Sequence, residues 1–588
     1  MRKFSYSLCL AILFFGTTRF SLGQPVTEKK TVQADDAFKS FEIKFLDAYW
    51  KQYPSAAIAV GYGKYYDHLV IPDQASFENN VIFSKHWIEL LHGMPFASLN
   101  DNYKISYRII DNQLRSDCWY TDTLKPQQWD PSMYNLSGES YNILTQPYAP
   151  LDTRLRILSS HLANADAYYK AAFKNIFRPT REHTDLAIRQ NEGGLEVFGQ
   201  DLTDSINASH LNKTEKDSLV KRVAITVSAI KNYIGHLKQL LDDKNAVFRD
   251  FRLGKDLYYA KFRYDLVTSF TPEEIFNKSI RDKNFYQTRM YATASELWPK
   301  YCGNRERPAD SLALIKTVID SISLNHAKPS ELLDVLTKQV HDLEHFIVEK
   351  NLFNYDTSFP LKVRLMPEFA RGVTLASADF VPPYQKQGTT CYNVEDLTRF
   401  PPESAESSLR EYNTYSIQYL SIHEAMPGHC LQGIYNNKRS PDIIKSVFEN
   451  GTMVEGWAVY AETMMFESGW GDHAPEMKLM HDKWKLRELC NVILDYGIHC
   501  LGYSKEDVTN LLEKDAFQTK AQIEEKYHRA MVSQVQLCSY YSGASEIFAL
   551  REDYKKKMGD RFSLKDFHEQ FLSYGSAPVK YIREMMMK

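Results

Sequence analysis

Residues 421–432 read Ser-Ile-His-Glu-Ala-Met-Pro-Gly-His-Cys-Leu-Gln, and this stretch holds two imidazoles and a carboxylate within seven positions. Neutral imidazoles suit a divalent metal such as zinc. A carboxylate beside the first imidazole can take a proton from a metal-bound water instead of binding the metal itself. The stretch therefore predicts a metal site with His423 and His429 as ligands and Glu424 as general base.

The spacing of the two histidines departs from the usual helical zinc motif, in which they stand four residues apart on one face. His423 and His429 are six residues apart, which would place them about 120° apart around a regular helix. Pro427 has no N–H for the carbonyl of His423, and Gly428 tolerates unusual backbone angles. These residues predict a zincin-like helix with a two-residue bulge. A proline-kinked surface helix with incidental histidines is the alternative.

A third ligand is predicted in residues 451–462, Gly-Thr-Met-Val-Glu-Gly-Trp-Ala-Val-Tyr-Ala-Glu. Glu455 lies 26 residues after His429, among apolar residues where a lone carboxylate is costly to bury. A loop and one helical turn can bring it under the imidazoles and complete a His, His, Glu site. Glu462, two turns later, can accept a hydrogen bond from a ligating imidazole. An amphipathic helix with solvated carboxylates is the alternative.

These motifs resemble those of a known bacterial family. The patterns His-Glu-x-x-Pro-Gly-His-x-x-Gln at 423–432 and Glu-Gly-Trp-Ala-x-Tyr-x-Glu at 455–462 are similar to those of the domain-of-unknown-function 885 proteins, which belong to the gluzincin-type metallopeptidases. The resemblance implies a mainly α fold: a large helical body with a small mixed β-sheet next to a zincin-like helix. It also implies a zinc-dependent peptidase with one Zn²⁺ per chain, held by His423, His429 and Glu455.

The resemblance continues toward the C-terminus, where the chain matches family positions at Arg529, Gln536, Tyr540, Gly543 and Arg551. A tetrahedral intermediate develops oxyanion charge, which a phenol or a guanidinium aimed at it stabilises. Tyr540 is the predicted oxyanion donor. Arg529 is the second candidate, with a role as a buried salt-bridge partner as its alternative.

A second histidine motif competes with the first. Residues 341–345 read His-Asp-Leu-Glu-His, the inverted zincin order, with two histidines four residues apart on one helical face. The surrounding helix is rich in charged residues, and no buried helix bearing a carboxylate follows at short range. We therefore expect His341 and His345 to lie on a solvated helix face.

A small sheet is predicted just before the metal motif. Helical periodicity dominates up to residue 359, and the alternation at 361–365 and the β-branched and aromatic residues at 388–394 indicate strands. An edge strand beside such a site can pair with an extended peptide. We predict that Gly388–Val394 forms that edge and binds a peptide substrate. An ordinary structural hairpin is the alternative.

The N-terminal residues predict export. Residues 1–23 show the positive start, apolar run and small residues of a cleaved secretory signal peptide. Residues 24–37 are polar and predict a flexible lead-in, and residues 38–588 predict a single domain, mostly helical in 38–359 and carrying the metal site in 360–588. No other apolar run is long enough to span a membrane. The mature protein is expected to be secreted or periplasmic, without stable membrane insertion.

Charge and cysteine content exclude some partners and leave others open. The formal net charge is −3, with no basic stripe, which argues against a nucleic-acid partner. Seven cysteines follow Cys9, and their spacing gives no disulfide pairing. Cys430, next to His429, is predicted to be a small core residue instead of a metal ligand.

Taken together, the residues predict an exported zinc-dependent peptidase. Glu424 would deprotonate the attacking water and then protonate the leaving amine. Two other functions remain open: a zinc hydrolase of a non-peptide amide or ester, because the site chemistry is the same for any activated carbonyl, and a non-catalytic exported binding protein.

Overall fold

The computed structural model describes residues 26–355, 361–366, 374–385, 388–440 and 442–588. The predicted signal peptide lies outside these residues. In the part of the chain that is described, no helix is both long enough and apolar enough to cross a membrane.

Helices dominate the described residues, as the 3.6-residue periodicity predicted. In chain order the α-helices are α1 (Val26–Gln52), α2 (Pro54–Ala59), α3 (Gln74–His92), α4 (Asp101–Trp119), α5 (Pro126–Trp129), α6 (Ser137–Thr145), α7 (Leu151–His161), α8 (Ala165–Asn175), α9 (Arg181–Gly194), α10 (Gln200–Ala208), α11 (Lys213–Asp242), α12 (Lys255–Leu266), α13 (Pro272–Cys302), α14 (Ser311–Ile322), α15 (Leu332–Glu349), α16 (Pro402–Glu411), α17 (Ser416–Glu424), α18 (His429–Arg439), α19 (Ile444–Val447), α20 (Gly451–Glu467), α21 (Pro475–Tyr496), α22 (Lys505–Asn510), α23 (Lys520–Ser533), α24 (Ser539–Met558), α25 (Leu564–Leu572) and α26 (Val579–Met586).

The first helix corrects the prediction of a flexible lead-in over residues 24–37. α1 is continuous from Val26, so the prediction is wrong for residues 26–37. Ala34 and Phe38 stand one turn apart and are buried, and the ring of Phe38 contacts that of Tyr103 on α4. Asp35 accepts a hydrogen bond from the backbone N–H of Asn100 at 2.9 Å. The polar residues of this segment therefore belong to a helix that contacts the core through Ala34 and Phe38.

Three short strands form a mixed sheet: β1 (Leu361–Leu365), β2 (Ala376–Asp379) and β3 (Thr390–Val394). The strand order is β1-β3-β2, with β1 parallel and β2 antiparallel to β3. The prediction of a small mixed sheet is thus confirmed. The prediction that Gly388–Val394 is an edge strand is wrong, since β3 is the central strand. Its five residues are all buried, and such a run is typical of an internal strand covered on both faces.

The sheet supports the helices that carry the histidines. Tyr392 in the middle of β3 is fully buried, and its hydroxyl lies 3.4 Å from Ser421 Oγ on α17. Helix α17 packs on α20 and α21, and α20 packs along α24. These elements share one continuous core of buried side chains that extends from Ala34 to Met586. The His motif therefore stands on a rigid base, not on a surface loop.

Candidate metal site

The helix is completely interrupted between the two histidines. α17 ends at Glu424 and α18 begins at His429, and the peptide bond between Met426 and Pro427 is cis. The prediction of one helix with a two-residue bulge is therefore wrong in form, although Pro427 does end the helix as its missing N–H requires. Gly428 is needed for close approach: a Cβ there would lie 1.9 Å from the carbonyl oxygen of His423.

The break brings the three predicted metal ligands together. His423 Nε2 lies 3.6 Å and His429 Nε2 lies 3.5 Å from Glu455 Oε2. The candidate ligand atoms of all three residues lie within 4.8 Å of one another. Glu455 reaches them from the second turn of α20, as the sequence predicted.

Two separations in this cluster are compatible with a divalent metal such as zinc. Zinc bonds of about 2.0–2.2 Å to nitrogen and oxygen place tetrahedral ligand atoms roughly 3.3–3.6 Å apart. The observed separations of 3.6 and 3.5 Å fall in that range. Glu455 Oε2 is buried and has no hydrogen-bond partner among the described residues. A buried carboxylate oxygen without a donor is costly unless a cation satisfies it.

A buried carboxylate contacts the first histidine at Nδ1, the ring nitrogen that does not face Glu455. Glu462 Oε1 lies 2.7 Å from His423 Nδ1 and accepts a hydrogen bond from Trp484 Nε1 at 3.0 Å. Lys485 Nζ lies 3.5 Å from the second carboxylate oxygen of Glu462. This arrangement fixes the ring so that Nε2 faces the cluster, which is how carboxylates commonly orient ligating imidazoles.

The charges of the cluster depend strongly on one another. Burial opposes protonation of His423, but Glu455 and Glu462 outweigh it and raise the pKa of this imidazole well above its usual value. Burial also acts to raise the pKa of Glu455, yet the two histidines outweigh it and lower that pKa. Protons and a metal ion therefore compete for the same buried atoms.

Glu424 lies at the end of α17, next to the cluster. Burial raises the pKa of its carboxyl, and His429 and His423 oppose the rise. Glu424 is thus a carboxyl beside the cluster, one residue after the first imidazole.

Tyr540 packs against His423, and Arg529 contacts Tyr540. The ring of Tyr540 stacks against that of His423 with centroids 6.3 Å apart. Arg529 Nη2 donates to Tyr540 Oη at 2.7 Å and to Gln536 Oε1 at 2.7 Å. Burial and Glu455 raise the pKa of Tyr540 to about 12, against the effect of Arg529. Arg529 makes no ion pair within the described residues, so the salt-bridge alternative for this residue finds no support.

Two glycines set the distance between Glu455 and Tyr540. Helices α20 and α24 cross at Gly456 and Gly543, where a Cβ on Gly543 would lie 1.9 Å from the carbonyl oxygen of Thr452. A Cβ on Gly456 would lie 2.5 Å from the Gly543 backbone. No side chain fits at this crossing. The match of Gly543 to the family pattern thus has a steric cause.

We expect Gly543→Ala to lower the free energy of unfolding by about 1–3 kcal/mol or more, because 1–3 kcal/mol is the usual cost of overpacking a core. The clash is with backbone atoms, which cannot move aside as a flexible side chain could. Thermal or denaturant unfolding of the purified variant measures the effect.

The matched control is Gly235→Ala in the middle of α11, where a new Cβ meets nothing within 4 Å. Alanine is favoured over glycine inside helices by roughly 0.5–1 kcal/mol, so this variant should be slightly more stable than the parent. Equal stability changes in the two variants would contradict the close-crossing explanation.

The competing motif at 341–345 lies on the outside of the molecule. The side chains of His341 and His345 on α15 are 80% and 81% exposed, which confirms the predicted solvated face. Cys430 is fully buried, and burial raises the pKa of its thiol well above the usual value. All seven cysteines in the described residues are unpaired.

A large cavity opens near the site. Its volume is about 1520 Å³, and its lining includes Tyr141 on α6, Arg189 on α9, Lys362 on β1, Gly433 on α18 and Glu449. The three candidate ligands are absent from the lining. The cavity instead reaches one turn beyond His429 on α18 and the residue before the N-cap of α20.

Helix α21 supplies groups that sequence reasoning did not single out: Trp484, Lys485 and Glu488. Glu488 Oε2 lies 3.2 Å from Lys485 Nζ. Burial and the nearby Glu462 carboxylate raise the pKa of Glu488 despite Lys485, whereas Lys485 and His423 lower the pKa of Glu462 against the effect of burial. The available signal was the dense mixture of charged and apolar residues around all faces of 475–496, which indicates a buried helix with paired charges.

The mainly helical fold, the small mixed sheet and the positions of the motifs agree with one bacterial family. The chain belongs to DUF885, a family of bacterial proteins of unknown function, whose model matches residues 54–586. The resemblance noted from the motifs is thereby confirmed at the level of the family. Among curated proteins, none is similar enough to this chain to count as a match.

Two solved structures are similar to this chain. One is a protein of unknown function from Shewanella oneidensis, described as a candidate lipoprotein, with 43% sequence identity and a TM-score of 0.84; the match covers 94% of this chain and 100% of that chain. Another, a candidate lipoprotein from Colwellia psychrerythraea, has 15% identity and a TM-score of 0.75, covering 94% of this chain and 99% of that chain. The second likeness concerns the fold alone.

Proposed function

We propose that this chain is an exported zinc-dependent peptidase. The observation that carries the proposal is the convergence of the ligand atoms of His423, His429 and Glu455 within 4.8 Å, at separations that suit zinc. The hydrogen-bond partner of His423 and the neighbouring carboxyl Glu424 add to this support. Export is supported by the signal-peptide pattern of residues 1–23 and by the description of the Shewanella oneidensis relative as a candidate lipoprotein.

The proposed chemistry divides between the metal and the side chains. Zinc, when bound, would polarise the scissile carbonyl and acidify a water molecule. Glu424 takes the proton from the attacking water and later gives it to the leaving amine, and its raised pKa suits both transfers. Glu462 keeps His423 oriented and balances its charge.

Tyr540 is proposed to donate a hydrogen bond to the oxyanion. Because Arg529 donates to the phenol oxygen at 2.7 Å, the hydroxyl proton of Tyr540 stays available for a different acceptor. Arg529 acts through this contact, which adds positive charge beside the phenol.

We expect Tyr540→Phe to lower kcat by about 10²- to 10³-fold, the usual loss for one oxyanion donor, with zinc content unchanged. Steady-state kinetics and elemental analysis measure the two quantities. Tyr541→Phe is the matched control, since the Tyr541 hydroxyl contacts Lys278 and Asp282 away from the cluster. A Tyr540→Phe protein with full kcat would remove Tyr540 from the mechanism.

The large cavity, which reaches α18 one turn beyond His429 but is not lined by the three candidate ligands, has room for a polymeric substrate. Its volume of about 1520 Å³ exceeds the roughly 300–1,000 Å³ of ordinary small-molecule pockets. The peptide is no longer expected to pair with β3, because that strand is flanked on both sides. β1 and β2 are the edge strands of the described sheet, and Lys362 on β1 and Asp379 on β2 line the cavity.

The decisive experiment is digestion of a peptide library by zinc-loaded protein, read by mass spectrometry, beside protein stripped of metal. Cleavage that depends on zinc would support the peptidase. Intact peptides together with turnover of an acyl ester or non-peptide amide would favour the other hydrolase class. Bound zinc without turnover of either substrate class would favour a binding protein.

A further inference from the structure

Three cations lie together beside the candidate metal site without any carboxylate bound to them. Arg487 on α21 donates only to Tyr412 Oη, at 3.4 Å, and Lys526 on α23 only to Asn491 Oδ1, at 2.6 Å. Arg529, one turn after Lys526, donates to two neutral acceptors. Within the described ranges of the chain, none of the three forms an ion pair. We call Arg487, Lys526 and Arg529 the cation cluster.

Helix geometry brings the cation cluster together. Lys526 and Arg529 stand one turn apart on α23. Asn491, which Lys526 contacts at 2.6 Å, stands one turn after Arg487 on α21. Burial lowers the pKa of Lys526 well below its usual value, and the guanidinium groups of Arg487 and Arg529 lower it further. Arg487 likewise acts to lower the pKa of Arg529, although Tyr540 and Glu455 outweigh it. Like charges in one partly desolvated place repel one another, which here disfavours the charged form of Lys526.

Two contacts connect the cation cluster to the metal site. Arg529 holds the hydroxyl of Tyr540, whose ring stacks on His423. The Arg487 guanidinium lies 5.1 Å from the ring centroid of Trp484, and Trp484 Nε1 donates to Glu462, which contacts His423. The cluster is therefore one side chain away from the first histidine through Tyr540 and two side chains away through Trp484 and Glu462.

The surrounding carboxylates compensate the positive charge only in part, because Glu455, which acts on Arg529, also faces the two histidines. Glu411 lies near Arg487, but Lys483 Nζ contacts it at 2.6 Å and takes up its charge. Glu525 acts on both Arg487 and Lys526 but is exposed to solvent. Lys526 is only 4% exposed. Buried charges are normally paired or neutralised, so an anion from outside the chain would stabilise the charged form of Lys526 beside the two guanidinium groups.

We propose that the cation cluster binds the free C-terminal carboxylate of the peptide substrate. The proposal rests on the proposed function, which it narrows to peptides cleaved near a free C-terminus. A carboxylate offers two oxygens to the fork of an arginine and to a lysine at once, and such charge-assisted bonds are the strong ones. An acidic side chain of the substrate would share this chemistry, so the experiment must separate the two sources.

The experiment measures binding without turnover. Zinc-loaded Glu424→Gln protein is titrated, at constant ionic strength, with a peptide as free acid and as C-terminal amide. A second pair of C-terminally amidated peptides carries Glu or Gln near the C-terminus. The free acid is expected to bind about 10- to 100-fold more tightly than the amide. The amidated Glu and Gln peptides are expected to bind equally.

Variants then assign the preference to the cluster. In the same Glu424→Gln background, Lys526→Met and Arg487→Gln should each bring the acid-to-amide ratio close to one. Lys520→Met is the matched control, because Lys520 is exposed at the first position of the same helix, and it should keep the full ratio. Circular dichroism verifies folding, and Arg487→Gln, at a half-buried position, decides the question if Lys526→Met does not fold.

Several outcomes would overturn the assignment. Equal binding of acid and amide would remove the subsite, and a preference that survives both variants would place carboxylate recognition elsewhere. Tighter binding of the amidated Glu peptide than of the amidated Gln peptide would show that the acidic side chain is the ligand instead of the C-terminus. Failure of the proposed function is distinct: an acid preference carried by the cluster, together with no cleavage by the zinc-loaded parent protein, would keep the subsite and reject the peptidase.

Discussion

Glu424→Gln is expected to lower kcat for peptide hydrolysis by about 10²- to 10⁴-fold while zinc remains bound. Glutamine keeps the size of the side chain but cannot take a proton from water. The three ligands His423, His429 and Glu455 are untouched, and Glu462 still holds His423. Steady-state kinetics on a cleaved library peptide give kcat, and elemental analysis of the same sample gives the zinc content.

The control for this variant comes from the competing motif. Glu344→Gln removes the corresponding carboxylate of residues 341–345, which lies between two exposed histidines on α15 and accepts a hydrogen bond from Tyr355. It should leave kcat unchanged. A Glu424→Gln protein with full activity and bound zinc would remove Glu424 as general base, and a loss confined to Glu344→Gln would move the chemistry to α15.

His423→Ala is expected to abolish stoichiometric zinc binding, whereas the parent protein holds roughly one zinc per chain. The substitution removes one of three ligands and leaves the buried Glu462 without its imidazole partner. A buried carboxylate that loses its partner also costs stability. Elemental analysis after dialysis measures zinc. A second readout is the rise in Tm on adding zinc, which follows from binding to the folded state alone and should vanish in the variant.

His341→Ala is the matched control, since it removes an exposed histidine from the other motif. It should retain both the zinc and the zinc-dependent rise in Tm. Zinc lost only with His341 would transfer the metal site to α15. No zinc in any form of the protein, even after zinc is supplied, would leave the non-catalytic binding protein as the better explanation.

The sequence was sufficient for features that depend on near neighbours. The 3.6-residue periodicity predicted the helical body, and alternation at 361–365 predicted β1. The residue types at 423–429 predicted a His/Glu cluster, because two imidazoles and a carboxylate suit a divalent metal, and Pro427 predicted a distorted helix between the two histidines. Glu455 was found because a carboxylate in an apolar helical pattern needs a partner, and family resemblance directed attention to Tyr540.

Only the tertiary structure decided which distant segments meet. It turned the predicted bulge into a full break, placed β3 in the middle of the sheet, and docked residues 26–37 as a helix. It also gathered Arg487, Lys526 and Arg529 in one place, of which the sequence had singled out Arg529 alone. The physical reason is that periodicity records which face of an element is buried, whereas the identity of its partner depends on the packing of the whole core.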